Sequence, residues 1–101
     1  MAKVKRVFLV FVELAGASEK FRRDGYAGGF VTVVVPADDI RAAIDIGDKT
    51  LREDGYEVVD IDKALLFEPE EWEHDVEVTL AAQQSAKDNE TRYTPFTVWG
   101  H

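Results

Sequence analysis

Two short apolar runs dominate the chain, at residues 7–12 and 30–35. In the first, Val7, Leu9 and Phe11 alternate with Phe8, Val10 and Val12, so both faces of an extended segment are apolar. In the second, Phe30, Thr32 and Val34 oppose Val31, Val33 and Val35. β-Branched and aromatic runs of this kind predict strands covered on both sides. The first strand is placed over residues 4–14. Pro36, which has no N–H to donate, is expected to end the second. Asp38 or Asp39 then caps a helix over residues 38–54, in which Ile40, Ala43, Ile44 and Leu51 form one stripe. Gly47 falls within that stripe and is expected to let the helix lie close to the sheet, at about 1 kcal/mol in helix propensity. Gly55 is the expected left-handed C-cap, with Tyr56 packing back.

Residues 57–67 form the third strand, with Val59, Ile61, Leu65 and Phe67 on one face, Lys63 as a gap, and Val58, Asp60, Asp62 and Ala64 on the other. This amphipathic pattern belongs nearer a sheet edge. Pro69 and its flanking acids open a second helix. Val76, Val78 and Leu80 alternate as in a strand, whereas Trp72, Val76 and Leu80 fit a helical stripe. The helix-forming residues 81–87 decide for a helix to Asn89, with a kink near His74 as a variant. Tyr93 to Trp99 form the last strand, placed at an edge or bulge by Pro95. The connection 15–29 reads either as a flexible loop or as a helical turn from Ser18 to Arg23 closed by Gly25. The echo between Arg23-Asp24-Gly25-Tyr26 and Arg52-Glu53-Asp54-Gly55-Tyr56 supports two similar glycine caps.

These elements make one α+β domain over residues 1–101, a four-stranded sheet with two main helices on one face. The nearest common plan is a ferredoxin-like two-layer sandwich, an analogy of topology that carries no function. It implies a bare sheet face of Val and Phe side chains, a larger apolar patch than monomers expose. A homodimer covering that face is therefore expected; the intrachain alternative is cover by residues 15–29 and the C-terminal tail.

Composition narrows the chemistry. The absence of cysteine excludes disulfides, thiolate catalysis and cysteine zinc sites, and fits a cytoplasmic location. The longest apolar run is six residues, against about 20 for a membrane span, so no membrane partner is expected. That run follows Lys3, Lys5 and Arg6 in the manner of a signal peptide, but it is too short and Glu13 interrupts it. The net charge of −8 speaks against nucleic acid as a direct ligand. It is uneven: residues 1–30 carry +3 and residues 31–101 carry −11.

No motif implies catalysis. Glu71 and His74 have helical metal-ligand spacing, but no third ligand accompanies them, so neither a metal nor a cofactor is expected. Asp60 and Asp62 with Glu68 lack a neighbouring nucleophile. Gly25 to Gly29 precede a strand, whereas a phosphate loop follows one. The expected function is a small acidic, non-enzymatic interaction protein of the inhibitor, immunity or antagonist kind. Its acidic surface (Glu68, Glu70, Glu71, Glu73, Asp75 and Glu77) would meet a basic protein partner. A basic segment (Lys20, Arg22 and Arg23, with Tyr26) offers a second contact. The alternatives are a small dimeric enzyme or ligand-binding domain with a pocket between sheet and helices, using Tyr26, Tyr56, Trp72 and His74, and a structural subunit of a larger assembly.

Overall fold

The apolar runs become the two longest strands. In a computed structural model that describes residues 6–100, apart from the side chains of Glu19, Lys20 and Arg23, β1 is Arg6–Ala15 and β2 is Tyr26–Ala37. They pair antiparallel along their length, Leu9 beside Val34 and Val10 beside Val33. Between them lies α1 (Glu19–Asp24); α2 (Ile40–Glu53) and β3 (Val58–Leu66) follow. A 3₁₀ turn at Pro69–Glu71 precedes α3 (Val76–Asp88), β4 (Arg92–Tyr93) and β5 (Thr97–Gly100). The sheet order is β3-β1-β2-β4, with β5 also paired to β2, further along it. Since β2 and β3 are each antiparallel to β1, they run parallel to one another, and α2 crosses over the strand between them.

The α+β class and a sheet with two main helices packed on it are as expected, and the described strand pairs are all antiparallel. Among the described residues the sheet has five strands, not four. The expected strand from Tyr93 to Trp99 divides at Pro95: Thr94 donates its N–H and Oγ1 hydroxyl to the Thr32 carbonyl, and proline then interrupts the ladder. Pro36 does not end β2, which runs on to Ala37 opposite Val7 and Arg6. Strand alternation gives Pro36 the same side as Thr32, whose carbonyl faces β4. Among the described residues no strand pairs with β2 beyond Val34 on that side, so the missing donor falls where no ladder bond is required.

The two helices take opposite faces, which departs from the expected placement on one. Ala43 and Leu51 of α2 pack with Phe8, Val10, Val12, Val31, Val33 and Val35. Val78 and Ala82 of α3 pack with Val7, Leu9 and Val34. Both faces of β1 and β2 are apolar because each carries its own helix, and the bare face that motivated a homodimer is covered over about half its length within the chain. The buried stripe of α3 is Val78, Ala82 and Ser85, not Trp72, Val76 and Leu80; Val76 and Leu80 are 64% and 52% exposed. Small side chains at 82 and 85 let the helix approach the strands closely. In β3, register shifts opposite Phe11/Val12 and Glu13/Leu14 break the simple alternation. Val58, Ile61, Ala64 and Leu66 therefore serve the α2 side, and Leu65 the α3 side with Phe67 just after it.

Local chemistry fixes the helix ends. Asp39 accepts from the Ala42 N–H at 2.8 Å. At the other end of α2, Gly55 (φ 93°) and Tyr56 donate their N–H groups to the Arg52 and Leu51 carbonyls, a Schellman ending. Gly25 (φ 76°) closes α1 as expected, but Ser18 does not cap it. Its buried Oγ accepts from the Glu57 N–H at 2.8 Å and ties the turn to the start of β3. The expected helix from residue 68 is broken before α3, where Asp75 accepts from the Val78 N–H at 3.1 Å and starts the helix afresh. No helix among the described residues is long and apolar enough to cross a membrane.

Candidate interaction surface

The helix over the Leu9 face is too short for the strands beneath it. α3 has 13 residues, about 20 Å at helical rise, whereas β1 has 10 and β2 has 12, about 33 and 40 Å extended. It covers Val7, Leu9 and Val34 and leaves the far half of that face open. Strand register places the uncovered side chains: Phe11 lies between Thr32 and Lys63, and Glu13 lies between Phe30 and Asp60. Phe30 in turn faces Thr97 of β5, and Trp99 lies opposite Gly28.

Phe30 and Trp99 are 47% and 38% exposed, with ring centroids 5.1 Å apart. Gly28 makes this possible, because a Cβ there would come within 2.5 Å of the Trp99 ring. Beside the pair is an open cleft of about 350 Å³, lined by Phe11, Phe30, Thr32, Asp62, Lys63 and Thr97 among others. Lys63 Nζ sits 4.9 Å from the Phe11 ring centroid. Phe11 also stacks on Trp72 at 6.1 Å, and Trp72 on His74 at 6.1 Å. An aromatic row therefore leads from the open half of the sheet to the acidic segment.

That segment holds the six carboxylates singled out from sequence. Glu68, Glu70, Glu71, Glu73 and Glu77 are exposed. Asp75 is engaged as the cap of α3, so its carboxylate serves the fold. The basic set lies across the sheet, with α1 on the α2 side, where Phe21 joins the core. Arg22 is exposed; Lys20 and Arg23 belong to α1 by backbone, and their side chains lie outside the described residues. Tyr26 turns inward and meets Phe21 edge-on at 5.9 Å.

The four residues proposed for an enzyme pocket are not brought together. Tyr26 and Tyr56 pack around Phe21 on the α2 face, while Trp72 and His74 stack on the α3 face. The Tyr93 hydroxyl donates to Asp54 Oδ2 at 2.5 Å. Burial first, then this bond and the Asp54 charge, push the Tyr93 pKa up; burial, Asp54 and Asp24 raise that of Tyr56. Both groups stay protonated near neutrality. Among the described residues, no three His, Asp or Glu side chains converge as a metal site would require.

Phe11, Glu13, Phe30 and Lys63 were not singled out from sequence as site residues. Phe30 and Phe11 sit in runs that read as core, and their exposure follows from how far α3 reaches. Gly28 and Trp99 become partners only through the β2–β5 register. No protein family, curated protein or solved structure matches this chain, so the surface is read from its own geometry.

Proposed function

We propose that this chain is a small, non-enzymatic interaction protein of the cytoplasm that binds another protein through the open half of its sheet. One observation carries the reading: Phe30 and Trp99 lie exposed, side by side, on a face whose other half is packed under a helix. Large aromatic side chains on an open face are the usual anchors of protein interfaces. The partner is a different protein and not a second copy. Among the described residues, Glu13, Asp60 and Asp62 border the patch against one ammonium, Lys63, so two copies placed face to face would oppose like charges.

The test is panning of a phage-displayed random dodecapeptide library on the wild-type protein, with counter-selection on Phe30→Ser/Trp99→Ser. The reading expects enriched peptides that bind the wild type at least tenfold better than the double variant. Enriched peptides that bind both proteins equally, or no enrichment, would overturn it.

A further inference from the structure

We propose that the partner docks through a basic segment, laying an Arg or Lys side chain on the Phe30–Trp99 pair with its charge among Glu13, Asp60 and Asp62. This deepens the reading above and rests on it. Glu13 and Asp60 are direct cross-strand neighbours between β1 and β3. Like charges in that position repel and weaken the sheet locally. Among the described residues, no ion pair engages either of them, or Asp62. Among the described residues, the one cation that lines the open half, Lys63, rests on the Phe11 ring. The parts of β2 and β5 that border the patch present Phe30, Thr32, Thr97 and Trp99, none of which titrates near neutrality. Beyond Phe11, the border continues through Trp72 into exposed Glu71 and Glu73. The β1 and β3 borders of the patch therefore carry an excess of negative charge, and β2 and β5 supply the aromatic faces.

A cationic side chain matches both features. A guanidinium or ammonium is attracted to an aromatic face and gains more where water is excluded. Guanidinium also fits a carboxylate through two parallel N–H bonds. The acidic segment at the border would draw a basic partner towards the patch before contact. An acidic segment or a nucleic acid would meet repulsion from the same groups.

The peptide pool selected above tests this separately. The sequenced, Phe30-dependent peptides should be enriched in Arg and Lys. One of them, resynthesised, should bind Glu13→Gln/Asp60→Asn/Asp62→Asn at least tenfold more weakly than wild type, with the difference shrinking as salt rises. Neutralising these groups relieves repulsion, so the variant should fold, as its circular dichroism and melting temperature will confirm. A Phe30-dependent pool without basic enrichment, or equal binding to the neutralised variant, would overturn the inference and leave the docking surface standing. A pool with no dependence on Phe30 and Trp99 would overturn both.

Discussion

Gly47 is the position where sequence and structure predict opposite outcomes. A glycine in the buried stripe of α2 suggests a close helix–sheet contact that a larger side chain would spoil. Yet a methyl group on Gly47 would lie 3.8 Å from its nearest neighbours on Val10 and Val33, ordinary van der Waals contact. Gly47→Ala should therefore stabilise the protein. Helix propensity favours alanine by about 1 kcal/mol, and burying one more methyl against Val10 and Val33 adds up to about 0.8 kcal/mol. A gain of about 1–2 kcal/mol should raise the melting temperature by roughly 5–15 °C for a domain of this size. Urea denaturation should show a higher midpoint with an unchanged slope. Gly16→Ala is the contrasting control, since its Cβ would fall 2.2 Å from the Ala27 carbonyl oxygen, part of the backbone, and overpacking should destabilise. A lower midpoint for Gly47→Ala would refute the packing described between α2 and the sheet.

Three further predictions follow from named contacts. Ser18→Ala removes the acceptor of the Glu57 N–H, and should lower stability by about 1–3 kcal/mol in urea denaturation and speed hydrogen exchange at the Glu57 amide. Glu13→Gln should stabilise the free protein by roughly 0.2–1 kcal/mol, because it ends the repulsion from Asp60; a loss would contradict the shared face. The third concerns pH. Tyr56 and Tyr93 have folded pKa values raised above the unfolded value near 10, so their stabilisation is complete below about pH 10. It is lost as pH rises from there through the folded values. The urea midpoint should fall above pH 10, and Tyr93→Phe should flatten that fall; parallel profiles for the two proteins would count against the Tyr93–Asp54 contact.

Much of the fold is legible in the sequence because local chemistry enforces it. The double-faced apolar runs require covered strands, Asp39 and Gly55 mark the ends of α2, and the Gly-Tyr echo at 25–26 and 55–56 marks two left-handed helix endings whose tyrosines meet at Phe21. The side of the sheet chosen by α3 is not legible. Its buried stripe holds Ala82 and Ser85, while the larger Val76 and Leu80 face outward, so periodicity points to the wrong face. The bulges in β3 hide the alternation in the same way. Of the candidate surface, the acidic segment is visible as composition. The open sheet half is not, because the exposure of Phe30 depends on helix length and the neighbours of Trp99 depend on strand register.

The central claim is that the open half of the α3 face receives a basic segment. The most direct measurement is a set of ¹H–¹⁵N correlation spectra of the full chain titrated with a hexa-arginine peptide at low salt. Saturable shifts confined to the Trp99 indole and to the amides around Glu13, Phe30, Asp60 and Thr97, and absent in Phe30→Ser/Trp99→Ser, are the predicted result. Shifts restricted to the exposed acids of residues 68–77, or no saturable shifts, would contradict it.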